Sequence, residues 1–183
     1  YNFFEIGSGT GGVTDIICKI LNTFIDINWK YTASDYFKGY LPRLKEINPN
    51  IDTVIYDVNS KLEPNKYNCI LAMNALHICD NIKETVNNLY NSLAPGGFVL
   101  VQEGCNDCIT LFWGMADSTW NFNDEREKGL WISNEHWISI FKDTGFKVIL
   151  NYMTSNKTQS LFLLMKEDSH IISNLEMNTN NVD

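Results

Sequence analysis

Short apolar stretches alternate with longer amphipathic stretches along the chain. Seven stretches have the length and apolar character of strands, at Tyr1–Ile6, Trp29–Ser34, Asp52–Tyr56, Tyr67–Met73, Phe98–Gln102, Lys147–Tyr152 and Gln159–Lys166. Helices are predicted between them, at Val13–Phe24, Lys38–Ile47, Asn81–Leu93 and Asn134–Thr144. Apolar residues recur at helical spacing in the first of these, at Val13, Ile16, Ile17, Ile20, Leu21 and Phe24.

The order of these elements predicts the fold class. Strands that alternate with helices favour a parallel sheet with helices on both faces. The last two strands are joined by a short connection without a helix, so they should pair as an antiparallel hairpin. We therefore predict an α/β, doubly wound seven-stranded sheet, Rossmann-like and mostly parallel, with a C-terminal antiparallel hairpin.

The same pattern predicts how the chain is divided. Residues 1–166 form one core domain, and residues 167–183 are rich in Asn and polar, which is typical of a disordered tail. Residues 104–132 fit neither period and contain several Trp residues, which favours a functional segment. Because a strand begins at Tyr1 without a leader, we expect the chain to be a piece of a longer polypeptide.

Composition narrows the classes of partner. The chain has 183 residues, 44% of them hydrophobic, and a formal net charge of -8. This acidic balance lacks the basic footprint of proteins that bind nucleic acid, and no apolar run is long enough for a membrane span. The five cysteines are an odd number and are expected to be reduced thiols in a cytoplasmic protein. Cys105 and Cys108 form a C-x-x-C without a second ligand pair, so no metal site is predicted.

A glycine-rich loop follows the first strand and opens the first helix. Gly7, Gly9 and Gly12 satisfy G-x-G-x-x-G, a pattern that both NAD-dependent enzymes and methyltransferases use. Glu5 extends it to E-x-G-x-G-x-G through Gly11. A carboxylate here disfavours a pyrophosphate and suits the ammonium and sulfonium groups of S-adenosylmethionine. The turn Ala94-Pro95-Gly96-Gly97 and the terminal hairpin favour the same cofactor, with Glu5, Gly7, Gly9 and Gly11 as binding residues.

Further candidate cofactor residues follow the other parallel strands. Asp35 ends the second strand, where a carboxylate can accept hydrogen bonds from both ribose hydroxyls. Asp57 follows the third strand, where side chains meet the adenine amino group, and Asn74 follows the fourth, near the methionyl part. For both aspartates the alternative is a local capping role at the protein surface.

A histidine and a glutamate follow two neighbouring strands. His77 comes just after the fourth strand and Glu103 just after the fifth. Because parallel neighbours end at the same edge of a sheet, about 4.8 Å apart, the two side chains should meet there. A histidine with a carboxylate partner can act as a general base, since the carboxylate selects the tautomer and stabilises the imidazolium. The alternative is that His77 only satisfies a backbone carbonyl.

These motifs together carry a specific resemblance. The segments EIGSGTGG, YTASD, YDVNS, MNALH, LAPGGFVLVQE and LWISNEHWISIFKDTGF resemble the C-methyltransferase domains of polyketide synthases and fatty-acid-synthase-like megaenzymes, over about residues 2–150. These domains are class I S-adenosylmethionine-dependent methyltransferases, so the resemblance implies their fold and cofactor.

The resemblance also implies a reaction and its partners. The expected substrate is a β-ketoacyl chain on the phosphopantetheine arm of an acyl carrier protein, methylated at its α-carbon, beside neighbouring megasynthase domains. The family's catalytic pair falls on His77 and Glu103. Its aromatic segment falls on Phe112, Trp113 and Trp120, which would line the acyl pocket or else pack the loop. Two other functions stay open: an inactive structural domain of a fatty-acid-synthase-like protein, and a small-molecule O- or N-methyltransferase.

Overall fold

One seven-stranded sheet organises the protein. A computed structural model describes residues 1–106, 122–124, 126 and 130–168. The strands are β1 Asn2–Ile6, β2 Lys30–Asp35, β3 Asp52–Ile55, β4 Tyr67–Met73, β5 Leu93–Gly104, β6 Lys147–Met153 and β7 Gln159–Met165. They lie in the order β3-β2-β1-β4-β5-β7-β6, with β1 to β5 parallel and β7 antiparallel to both β5 and β6. This arrangement confirms the predicted fold class.

Four α-helices and one 3₁₀ turn are present within the described residues. The helices are α1 Gly12–Leu21, α2 Leu41–Ile47, α3 Ile82–Ser92 and α4 Asn134–Thr144. The second predicted helix begins as a 3₁₀ turn at Lys38–Tyr40, and Pro42 lies in the first turn of α2, where its missing N–H costs nothing. The Ser133 side chain accepts a hydrogen bond from the His136 amide and caps α4.

Helix α1 is shorter than predicted and ends at Leu21, and only part of its apolar stripe is buried. Leu21 is buried and Ile17 packs against the apolar core, whereas Ile16 is 58% exposed, and Ile20 and Phe24 are exposed as well. Thr14 and Cys18 are also buried, and the Thr14 hydroxyl donates to the buried Glu5 carboxylate, so a polar contact lies on the face of α1 that meets the sheet.

The sheet separates two apolar clusters. One lies under α3 and α4 and contains the large buried side chains Trp137, Phe141 and Phe162. The other lies under α1 and α2 and contains Tyr31 and Leu44. Burial of apolar area on both faces holds the central strands rigidly, and their carboxyl ends thereby become a fixed platform for a site.

The register of β4 and β5 aligns the ends of the two strands. Met73 pairs with Gln102, so the residues that follow both strands emerge at the same edge. Strand β5 is longer than predicted at both ends and includes Glu103, whereas β3 stops at Ile55 and leaves Asp57 in the turn beyond it. The candidate residues Asp35, Asp57, Asn74, His77 and Glu103 therefore lie along one edge of the sheet, as expected for an open α/β fold.

The described part of the chain contains no helix long and apolar enough to cross a membrane. Its cysteines, Cys18, Cys69, Cys79 and Cys105, are free thiols, and Cys108 lies outside the described residues. Those same ranges contain no cluster of three or more histidine, cysteine or acidic side chains that could hold a metal. Most of the predicted polar tail, from residue 169, also lies outside them.

Candidate active site

The glycine loop adopts a backbone that requires glycine. Gly7, Gly9 and Gly11 have φ values of 68°, 51° and 87°, in the left-handed region. A Cβ on Gly7 would lie 2.8 Å from the Cβ of Ala75, so the loop touches the turn after β4. A Cβ on Gly9 would meet no atom within 4 Å. The loop is therefore tightly packed at Gly7 and leaves open space at Gly9, where a ligand can approach the backbone.

Asp35 lies directly beside the loop. One carboxylate oxygen accepts a hydrogen bond from the Gly9 amide at 2.8 Å, and the other accepts one from the Phe37 amide at 2.8 Å. Each carboxylate oxygen has a second lone pair, so Asp35 keeps the capacity to accept hydrogen bonds from two hydroxyl groups. The residue is thus held in place by the loop and suits the predicted contact with a ribose.

Glu5 lies beneath the loop and is only 2% exposed. Its carboxylate accepts hydrogen bonds from the hydroxyls of Thr14 at 2.5 Å and Tyr31 at 2.7 Å. Burial raises the pKa of the Glu5 carboxyl above its ordinary value. Burial and the negative charge of Glu5 raise the pKa of the Tyr31 hydroxyl, which keeps it a donor. Glu5 therefore ties β1 to α1 and β2, while its predicted contact with a cofactor stays a prediction.

The raised pKa of Glu5 predicts a pH dependence of stability. A folded state with a raised carboxyl pKa binds the proton more tightly than the unfolded chain does, so this group costs stability once the pH exceeds its ordinary value of 4.5. Glu5→Gln removes that cost. We expect the stability of the variant relative to wild type to increase as the pH rises from 4.5 to 8, measured by urea unfolding. The control is Glu46→Gln on the exposed face of α2. A relative stability that is flat with pH would contradict the prediction.

His77 and Glu103 meet at the edge of the sheet. The Nδ1 atom of His77 lies 2.8 Å from Oε2 of Glu103. The other oxygen of Glu103 accepts hydrogen bonds from the amides of Ala75 at 2.9 Å and Leu76 at 2.6 Å. Glu103 is fully buried, and the His77 side chain is 12% exposed. An ionised Glu103 can only accept, so neutral His77 must donate from Nδ1 and keeps its lone pair on Nε2.

Trp131 packs against the histidine ring. The ring centroids of Trp131 and His77 are 4.3 Å apart, at an interplanar angle of 41°. Gly104 makes room for this indole, because a Cβ there would lie 2.6 Å from Cζ3 of Trp131. The indole therefore covers one face of the imidazole ring. The sequence showed Trp131 within an irregular aromatic segment but did not assign it to the histidine.

An arginine that the sequence did not single out contacts the turn carrying His77. The guanidinium of Arg126 donates to the carbonyl oxygens of His77 and Cys79, both at 2.6 Å, and forms an ion pair with Asp124 at 2.8 Å. Arg126 is 8% exposed, and the ring of Phe122 covers it at 3.7 Å. No periodic pattern surrounds Arg126 in the sequence, so nothing there pointed to the contact.

Of the remaining predicted site residues, Asn74 and Asp57 lie within the described residues and the three aromatic pocket residues do not. Asn74 is exposed on the same edge with a φ of 52°, and its amide donates to the Gln102 carbonyl at 2.7 Å. Asp57 accepts a hydrogen bond from the Asn59 amide at 2.9 Å and so organises its own turn, while its contact with adenine stays a prediction. The predicted pocket residues Phe112, Trp113 and Trp120 lie outside the described residues.

These residues fit S-adenosylmethionine. The open space above Gly9, the anchored carboxylate of Asp35 and the exposed Asn74 line one edge, beside the histidine and glutamate pair. The carboxylates of Asp35 beside the loop and Glu5 beneath it disfavour an anionic pyrophosphate at this position. The fold and the site together define a class I methyltransferase.

Comparison with known proteins supports this class. Residues 2–151 match the family model described as "Methyltransferase domain", and the chain belongs to that family. Membership confirms the predicted enzyme class, a methyltransferase, and its cofactor, S-adenosylmethionine. Among solved structures, the CMeT domain of the citrinin polyketide synthase superposes with a TM-score of 0.81 at 21% identity, over 91% of this chain and 46% of that one. The trans-methyltransferase CalH in complex with SAH gives 0.78 at 22% identity, over 90% and 51%.

Several similar curated proteins are polyketide synthases. The fusarielin synthase of Gibberella zeae is 32% identical over 93% of this chain and 7% of its own length. A highly reducing polyketide synthase of Phaeosphaeria nodorum is 30% identical over 81% of this chain and 6% of its own length. These matches confirm the resemblance to the methyltransferase domains of polyketide synthases. The chain spans less than a tenth of these relatives.

Proposed function

We propose that the chain methylates the α-carbon of a β-ketoacyl chain carried on the phosphopantetheine arm of an acyl carrier protein. The observation that carries this proposal is the 2.8 Å pair of His77 and Glu103 next to the glycine loop. The α-carbon between two carbonyls is acidic, and its methylation needs a base beside the methyl donor. An amine or thiol nucleophile would make less use of such a base.

The residues support a simple sequence of events. The carboxylate of Glu103 holds Nδ1–H of His77, so Nε2 can take a proton from the α-carbon and leave an enolate. Bound S-adenosylmethionine supplies the methyl group, which the enolate carbon accepts, while His77 holds the proton. Glu103 then lies against an imidazolium, whose charge it stabilises, and the indole of Trp131 covers the ring face.

The acyl carrier protein and neighbouring megasynthase domains are the partners in this proposal. It is supported by the relatives, each of which extends far beyond the part that this chain matches. An inactive structural domain is less well supported, because the left-handed glycine loop and the buried pair are both present. A free-standing O- or N-methyltransferase is less well supported, because the similar proteins at 30% identity or more are polyketide synthases.

A direct assay tests the proposal. The chain is incubated with S-adenosylmethionine and a β-ketoacyl thioester of N-acetylcysteamine, and α-methylation is followed by mass spectrometry. Calorimetric titration with S-adenosylhomocysteine measures binding in parallel. Methylated thioester together with binding supports the function. Binding without α-methylation, while an oxygen or nitrogen nucleophile is methylated, would favour the free-standing alternative, and absence of binding would favour the structural one.

A further inference from the structure

The turn after β4 carries His77, and its polar backbone atoms are held from two sides. On one side, Glu103 accepts hydrogen bonds from the amides of Ala75 and Leu76, which precede the histidine. On the other, the carbonyls of His77 and Cys79 accept hydrogen bonds from the guanidinium of Arg126. The backbone around His77 is thus hydrogen-bonded to Glu103 through the two preceding residues and to Arg126 through the carbonyls of His77 and Cys79.

Arg126 is itself held by a connected set of contacts. Asp124 pairs with the guanidinium, and a second contact joins Asp124 to the first turn of α3, since its carboxylate accepts from the Ile82 amide at 2.9 Å. Burial alone would raise the pKa of Asp124, but the hydrogen bonds from Arg126 and from the backbone hold that pKa below its ordinary value. The ring of Phe122 closes over the guanidinium. The ion pair of Asp124 and Arg126 is therefore held in a fixed geometry against the turn that carries His77.

We propose that Arg126 is a positioning residue for the base: it fixes the backbone of His77 so that the imidazole ring stays aligned with Glu103. The expected effect on kcat rests on the proposed function, in which His77 is the general base. The planar guanidinium suits the task because its five donors lie in a rigid fork, which can serve two carbonyls and a carboxylate together. An ammonium group has no such fork and cannot reproduce this geometry.

The size of the expected effect follows from what misalignment costs. A displacement of about 1 Å at a reacting group can lower a rate on the order of 100-fold. Arg126→Lys keeps the positive charge beside Asp124 but cannot reach both carbonyls, so we expect kcat to fall by roughly 10- to 100-fold. Arg126 makes no contact with the glycine loop in the described structure, so the Kd for S-adenosylhomocysteine should stay within about 2-fold of wild type.

Three chains are compared in the test: wild type, Arg126→Lys, and Arg43→Lys on the exposed face of α2 as the matched control. Turnover of the thioester and the affinity for S-adenosylhomocysteine are measured for each. Arg126→Ala is added, with millimolar guanidinium chloride compared against the same concentration of sodium chloride. Partial recovery of turnover with guanidinium alone supports the inference, because a general loss of folding would not respond to that ion.

An NMR readout separates the inference from the proposed function. Long-range ¹H–¹⁵N spectra of the imidazole need no turnover, and in wild type they should show the proton on Nδ1 of His77, facing Glu103. In Arg126→Lys we expect a mixture of tautomers, whereas Arg43→Lys should match wild type. Wild-type spectra and wild-type kcat in Arg126→Lys would overturn the role of Arg126. A wild-type chain that does not methylate the thioester would overturn the function, and the spectra would still decide the inference.

Discussion

His77→Gln should lower kcat for α-methylation by about 10²- to 10⁴-fold, which is the range that a positioned general base contributes. Glutamine keeps a polar side chain of similar reach, but its amide has no basic nitrogen to take the proton from the α-carbon. The affinity for S-adenosylhomocysteine should stay unchanged, because the ring contacts Glu103 and Trp131 and not the glycine loop. Steady-state kinetics with the thioester and calorimetric titration check both parts.

The matched control for this variant is His136→Gln. His136 lies in the first turn of α4, where its backbone amide, and not its ring, makes the capping hydrogen bond to Ser133. Turnover in this control should match wild type. If His77→Gln retained turnover within about 10-fold of wild type, His77 could not be the base, since loss of a positioned base costs more than this.

Gly7→Ala should raise the Kd for S-adenosylhomocysteine by more than about 10-fold and destabilise the fold by about 1–3 kcal/mol, because two separate costs act at this position. The backbone φ of 68° is unfavourable for alanine, and the new Cβ would lie 2.8 Å from the Cβ of Ala75. Carbon atoms prefer about 3.5–4.0 Å, so either the loop or the turn that carries His77 must move. Turnover should fall together with binding. Calorimetry, thermal unfolding and kinetics measure the three effects.

Two further variants separate these costs. Gly12→Ala changes a residue that opens α1, where no atom lies within 4 Å of the new Cβ, and it should leave stability near wild type. The double variant Gly7→Ala with Ala75→Gly removes the contact and leaves the φ strain, so it should recover part of the lost affinity. No recovery would show that the backbone alone accounts for the loss, and wild-type binding in Gly7→Ala would contradict the tight packing of the loop.

The position of the catalytic pair could be predicted from the sequence because it depends on topology. Once β4 and β5 are recognised as parallel neighbours, residues that follow their carboxyl ends must come close together. His77 and Glu103 fulfil this at 2.8 Å. The glycine loop was predictable for a similar local reason, since its spacing and its place between a strand and a helix define the turn.

Other features depend on contacts that no local pattern records. Within α1, Thr14 is buried and donates a hydrogen bond to Glu5, whereas Ile16 of the apolar stripe is exposed, and the spacing of apolar residues alone does not indicate this. Arg126 and Trp131 lie in an irregular segment, where neither helical nor strand periodicity relates a residue to its neighbours in space. Their contacts with the turn after β4 emerge only when the chain is folded.

The place of β7 between β5 and β6 has a consequence for folding. Glu103 pairs with Ser160 across the β5–β7 ladder, so the outer edge of β5 has no partner until the last described strand has been made. Pairing between such distant segments is slow, and an open sheet edge invites association with other chains in the meantime. We therefore expect the chain to pass through a stage in which the glycine loop is formed while β5 is still exposed. Refolding yield should consequently depend on protein concentration, and the last amides to gain protection from hydrogen exchange should be those of the strand that holds Glu103.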